Sequence, residues 1–187
     1  IEVVGKFINF WLSKEELMPK EQKIPQLYAG KKIMVEYTDP NPFKEFHIGH
    51  LMSNAIGESI ARLLEASGAK VIRANYQGDV GPHVAKTIWG QTQKPELLWG
   101  DAYTCGAEEY ENKKEEIDAI NRKIYEKSDA RINALYDAGR EESLERFEKI
   151  YKTLGTKFDR YFFESITGVM GLRIVKAHPE IFVESQG

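Results

Sequence analysis

The pattern that most restricts what this chain can fold into lies between residues 31 and 76. KKIMVEY at 31–37 is a short apolar run holding Ile33, Met34 and Val35, and it reads as a buried strand. From Leu51, apolar residues recur at helical spacing through Ala55, Ile56, Ile60, Leu63 and Leu64 as far as Gly68, where a helix stop is expected. KVIRANY at 70–76 is strand-like again. Strand, loop, helix and strand of these lengths make a βαβ unit, the building block of parallel sheets with helices on their faces. The expected fold class is therefore α/β with a Rossmann-like parallel sheet, and its ligands should bind where the strands end.

The loop at that end, TDPNPFKEFHIGH at 38–50, is built for such a task. Pro40 and Pro42 stiffen the exit from the strand and keep the residues before them out of the helical region, which prevents an early helix start. Gly49 omits a Cβ where a planar ring or a phosphate would approach the backbone, and the helix start beyond it offers free N–H groups to an anion. His47 and His50 can donate to phosphate oxygens, and Lys44 adds a full positive charge. Two histidines at a helix start could also serve only as caps. The adjoining strand, the prolines, Gly49 and Lys44 together favour the phosphate site. YQGDVGPH at 76–83 follows the second strand, so Asp79 and His83 belong to a neighbouring loop, whose simplest alternative is a plain Gly-Asp turn.

With 187 residues, 42% of them hydrophobic, the chain can bury a core. No apolar run reaches the length needed to span a bilayer, and a single cysteine, Cys105, rules out an internal disulfide; a cytoplasmic location is expected. Lys and Arg number 26 against 29 Asp and Glu, so net charge does not advertise a nucleic-acid partner and any such contact must come from local patches. The first residue is Ile1, inside an amphipathic pattern, which suggests an excised piece.

Residues 1–30 contain a strand pattern at Phe7, Ile8, Phe10 and Trp11, then a charged connector, KEELMPKEQKIPQLYAGKK, that marks a candidate boundary. Helical spacing returns at 84–90 and is broken by GQTQKPELLWGDAYTCG, which reads as irregular. Two long amphipathic patterns follow, one through Tyr110, Ile117, Ile120, Ile124, Ile132 and Leu135, the other through Leu144, Phe147, Ile150, Tyr151, Leu154, Phe158 and Tyr161. Asp137 to Arg140, containing Gly139, should separate them into a helical hairpin inserted at about 91–157, with runs such as REESLERFEK on its solvated face. The tail suggests a helix ending near Pro179 and a strand at Ile181–Glu184.

The stretch VEYTDPNPFKEFHIGHLMSNAIGESIARLLEASGAKVIRANYQGDVGPH closely resembles the signature region of class I aminoacyl-tRNA synthetases, specifically the arginyl-tRNA synthetases. HIGH alone, His47 to His50, is shared with related nucleotidylyltransferases; V-E-[YF]-x-x-P-N before it and N-Y-x-G-D-x-G after it resemble the arginine enzymes. FDRYFFES at 158–165 is similar to the family's F-D-x-Y-x-x-E-S, and GKFINFWLS at 5–13 to the end of its N-terminal appended domain. His83 departs from the pattern, since glutamine often stands there.

The resemblance implies that 1–30 end an appended domain and that 31–187 are the first part of the catalytic domain, the first half of the class I nucleotide-binding fold. The KMSKS-type loop and the anticodon-binding domain would lie outside this sequence, leaving the fragment inactive or weakly active. It implies a ligase that joins arginine to ATP as arginyl-adenylate, with Mg2+ bridging the phosphates and no bound prosthetic group, and then charges tRNA(Arg). His47, Gly49 and His50 would hold ATP. His47 and His50 would also be catalytic, together with Lys44 in place of the lysine that many arginyl enzymes lack in the KMSKS loop. Glu36, Asn41, Asp79 and Glu164 would bind arginine, Asn41 at the α-amino end with Glu36 in support and Glu164 at the guanidinium. No protein-held metal and no membrane partner are expected, and an exposed sheet edge would favour self-association. Another nucleotidylyltransferase of the HIGH superfamily and a non-catalytic RNA-binding or assembly module remain as alternatives.

Overall fold

A computed structural model describes residues 1–13 and 23–183. A two-stranded antiparallel hairpin, β1 (Glu2–Val4) and β2 (Phe7–Asn9), comes first, so the expected strand near Phe7 has a partner in the three residues before Gly5. Residues 14–22, the first nine of the 19 in the connector proposed as a boundary, lie outside the described residues.

The predicted βαβ unit is present as β3 (Lys32–Glu36), α1 (Ile48–Ala66) and β4 (Lys70–Gln77). β3 and β4 pair in parallel with Glu36 opposite Ala74. A third parallel strand, β5 (Arg160–Phe163), joins the far side of β4 with Gln77 opposite Phe163, giving the order β3-β4-β5. β3 is not buried on both faces as its continuous apolar run suggests. Ile33 and Val35 pack with Ala61, Leu64 and Val71, whereas Met34 is exposed. A five-residue apolar run specifies a strand but not what covers its second face.

Between β4 and β5 run α2 (Pro82–Gln93), α3 (Trp99–Glu108), α4 (Lys114–Glu126) and α5 (Ala130–Leu154). Their core gathers Val84, Ile88, Trp89, Ile117, Ile124 and Ile132. Two expectations are corrected here. The segment read as irregular contains α3, because its glycines are contact points: a Cβ on Gly106 would lie 2.0 Å from the Lys86 carbonyl oxygen, so glycine lets α3 rest on the backbone of α2. The hairpin turn falls at Lys127–Asp129, where Lys127 is left-handed and Asp129 caps α5 through the Arg131 and Ile132 N–H groups. Asp137–Arg140 is interior to α5; a Cβ on Gly139 would lie 2.4 Å from Phe43 Cε1, so this glycine is a notch for a ring and not a break.

The last helix, α6 (Glu164–Ala177), starts directly at the end of β5 and stops, as expected, just before Pro179. Ile181–Val183 form no strand, since the Ile181 and Phe182 N–H groups turn back to the His178 carbonyl; Glu184 lies outside the described residues. A continued β pattern needs a neighbouring strand to accept it, and none stands beside this segment among the described residues.

Below the sheet, Glu58 on α1 receives hydrogen bonds from Tyr37, Arg62 and Arg73. Burial opposes its ionisation, but these donors outweigh it and hold the carboxyl at about 2, against an ordinary 4.5. A depressed carboxyl contributes stability that is complete above pH 4.5 and disappears as pH falls toward 2. Glu58→Gln is therefore expected to lose about 3 kcal/mol at pH 7. Chemical denaturation at pH 7 and pH 3 checks this, since the gap between wild type and variant should narrow at the lower pH.

Candidate functional site

The carboxyl ends of the three parallel strands lead into residues 37–47, 78–81 and the start of α6. The first of these segments is strained: Thr38, Asp39 and Phe43 have φ values of 80°, 47° and 70° without being glycine. Each such residue costs on the order of 1–3 kcal/mol unless its surroundings hold it in place. Here they do. Thr38 N–H donates to Ser53 Oγ at 3.0 Å and its hydroxyl accepts from Asn54 Nδ2 at 2.9 Å, while the Asp39 carboxylate accepts from Tyr76 N–H at 2.7 Å. Phe43 N–H donates to Ser143 Oγ at 2.9 Å with its ring in the Gly139 notch. The loop is thus tied to α1, β4 and α5.

The HIGH residues form the first turn of α1. His47 is the N-cap; its Nδ1 accepts from Gly49 N–H at 3.1 Å, and His50 Nδ1 accepts from His47 N–H at 3.2 Å. The two rings stack with centroids 3.7 Å apart. With both Nδ1 atoms accepting, the neutral rings carry their protons on Nε2, which leaves an N–H on each for an outside acceptor. Burial, His47 and Lys44 push His50 below the ordinary imidazole value, which favours that neutral form. A Cβ on Gly49 would sit 3.0 Å from the His47 ring, so glycine here seats the imidazole as well as baring the helix start.

Asn41, Gly78 and Glu164 meet. A Cβ on Gly78 would lie 2.5 Å from Asn41 Oδ1 and 3.2 Å from Glu164 Oε2, so an amide and a carboxylate from distant parts of the chain converge above this glycine. Asp79, next to it, is fully buried and engaged by the chain itself. Its carboxylate accepts from Ser165 N–H and Ser165 hydroxyl, both at 2.8 Å, from Arg140 Nε at 2.9 Å and from Tyr136 hydroxyl at 3.1 Å. Glu36 is exposed at the end of β3 and acts on Asp39 through its charge. Lys44 places its ammonium 4.8 Å from the Tyr103 ring on α3, and its charge reaches both His50 and His83. His83 is held by the Gly78 carbonyl at 2.9 Å and, being largely buried, sits below the ordinary imidazole value.

A cleft of about 380 Å³ opens beside Asp79 between α4, α5 and α6, lined by Tyr125, Asn133, Tyr136, Arg140, Ser165 and Val169 among others. Sequence reasoning missed Arg140, Tyr136 and Ser165. Ser165 stood within FDRYFFES, Arg140 fell in the expected break and at the head of the charged run read as a solvated face, and Tyr136 stood just before that break. Among the described residues no group of three or more His, Cys, Asp or Glu could hold a metal ion, and no helix is long and apolar enough to cross a membrane.

Residues 13–96 match the family described as tRNA synthetases class I (R), catalytic domain, which puts this α/β unit with its histidine pair among the class I aminoacyl-tRNA synthetases. An arginine–tRNA ligase of Borreliella afzelii is 31% identical over 94% of this chain and 34% of its own length. The solved arginyl-tRNA synthetase of Thermus thermophilus aligns with a TM-score of 0.70 and 26% identity over 89% of this chain and 29% of its own. That of Plasmodium falciparum aligns with a TM-score of 0.65 and 25% identity over 82% and 27%. Residues 13–96 thus belong to the class I arginyl-tRNA synthetase catalytic-domain family, and the chain as a whole is similar to arginine–tRNA ligases. It spans about a third of the length of the curated relatives it matches.

Proposed function

We propose that this chain supplies the part of an arginine–tRNA ligase that brings ATP and L-arginine together. The single observation that carries the reading is the meeting of Asn41 and Glu164 above Gly78, with Asn41 on the same loop that leads into the two histidines, whose Nε2 atoms have no hydrogen-bond partner among the described residues. In this reading Asn41 binds the α-amino end of arginine and Glu164 pairs with the guanidinium, whose planar fork a carboxylate matches best. The arginine carboxylate attacks the α-phosphate of ATP, and pyrophosphate leaves. His47 and His50 stabilise charge as it develops on the phosphate oxygens, with Lys44 adding a positive field. Mg2+ would be held by the nucleotide's own phosphates and would supply charge neutralisation there, since the imidazoles and the amide of this site are poor magnesium donors. Transfer of arginine to tRNA(Arg) follows in the cytoplasm.

We also assign residues 1–30 to the end of an appended domain and 31–187 to the catalytic domain. The apolar side chains exposed on β3, α1 and α6, Met34, Ile56 and Val169 among them, support self-association of the isolated chain.

Calorimetric titration with L-arginine, L-lysine and L-citrulline beside a non-hydrolysable ATP analogue tests the assignment. Weak binding of arginine with at least about tenfold preference over both analogues is expected, because a site built for a charged fork leaves its carboxylate unpaired with either competitor. Nucleotide binding indifferent to the amino acid would point to another nucleotidylyltransferase. Binding of RNA with none of nucleotide or arginine would point to an assembly module.

A further inference from the structure

We propose that Arg140 and Asp79 are positioning residues that set Glu164, and that Asp79 does not touch the substrate. This rests on the reading of Glu164 as the guanidinium partner. The Asp79 carboxylate is fully buried, and all its contacts are donors of this chain. Two of them, the backbone N–H and hydroxyl of Ser165 at 2.8 Å, belong to the residue directly after Glu164. The start of α6 is therefore pinned to the end of β4 at one point. Nothing else in the first turn of α6 provides a cap, as Phe163 at the N-cap position has no hydrogen-bonding side chain.

A buried carboxylate needs a counter-charge, and the helical insertion delivers it. The Arg140 guanidinium bonds Asp79 Oδ2 at 2.9 Å and lies 4.0 Å over the Phe163 ring, the last residue of β5. Tyr136, one turn earlier on α5, donates from the same side; burial first and the Asp79 charge second push its phenol upward, so it stays protonated and keeps donating. Arg140 and Asp79 together carry no net charge. A cationic substrate arriving above Gly78 then meets the Glu164 carboxylate, which has no ion-pair partner among the described residues, at a place set by the Ser165 contacts. The insertion is in this way part of the amino-acid site, since it supplies the counter-charge that holds Asp79.

Amide hydrogen exchange and ligand titration on the whole chain test this with Arg140→Met, Arg140→Lys and Ser165→Ala. Arg140→Met is expected to speed exchange at the Ser165 amide at least about tenfold while the Val71 amide is unchanged, and to lower the preference for arginine over citrulline by about tenfold. Arg140→Lys keeps the charge but loses the planar stack and should recover part of both effects. Ser165→Ala keeps the backbone N–H contact and should fall between them. Unchanged Ser165 exchange in folded Arg140→Met, or equal acceleration at Val71, overturns the inference. Arginine binding absent from the wild type, with the Ser165 effect intact, overturns the functional reading and leaves the linkage standing.

Discussion

His50→Ala and His47→Ala each slow arginine-dependent ATP–pyrophosphate exchange by roughly 10²–10³-fold, the loss expected when one preorganised donor to a developing oxyanion is removed. Both histidines also cap α1, so an alanine variant mixes two effects: the lost donor and a weakened helix start, the latter costing about 1 kcal/mol. His47→Asn separates them. Asparagine is a good N-cap acceptor, so the variant should unfold close to the wild-type midpoint while its exchange rate falls nearly as far as that of His47→Ala. Exchange at the wild-type rate in a stably folded His47→Asn would remove His47 from the chemistry and leave it a cap.

Asp79→Ala has the largest expected effect on stability. It strands the Arg140 guanidinium, the Tyr136 hydroxyl and both Ser165 donors in a region where the lost carboxylate was fully buried. Breaking a buried ion pair on one side costs about 3–5 kcal/mol, and the lower end applies because the Arg140 side chain keeps 26% of its surface exposed. A fall in Tm of roughly 6–12 °C follows for a chain of this size. The double variant Asp79→Ala/Arg140→Met should lose about 1–3 kcal/mol less than the two single losses together, because the second change removes a charge that the first left unpaired. Thermal unfolding of the four proteins closes the cycle, and strictly additive losses would show that the pair is not coupled.

The elements legible in the sequence were those whose signal is local. Leu51 to Leu64 kept a helical period to Gly68, and α1 ends at Ala66. The HIGH residues sit at a strand end and a helix start because the prolines and the flanking runs leave the chain little else to do. What stayed hidden depended on partners distant in sequence. Gly139 has the composition of a break, and the rings of Phe43 and Trp99, far earlier in the chain, make it a notch. Gly106 reads as loop until α2 lies against it. Met34 reads as core because a strand's sequence does not record whether its second face is covered. Arg140 looked like one solvated charge among many, since nothing near it in the sequence announces a carboxylate brought in by β4. Asp79 was placed at the site, but nothing near it in the sequence records that its carboxylate accepts from Ser165, Arg140 and Tyr136 of the same chain.

Phe43 wedged against α5 has a mechanical consequence. Only three residues separate it from His47, and a tightly packed ring cannot slide by fractions of its width without opening a void. A displacement of the imidazole pair larger than Lys44 to Phe46 can absorb is resisted by the Phe43 ring, seated on the 25-residue α5.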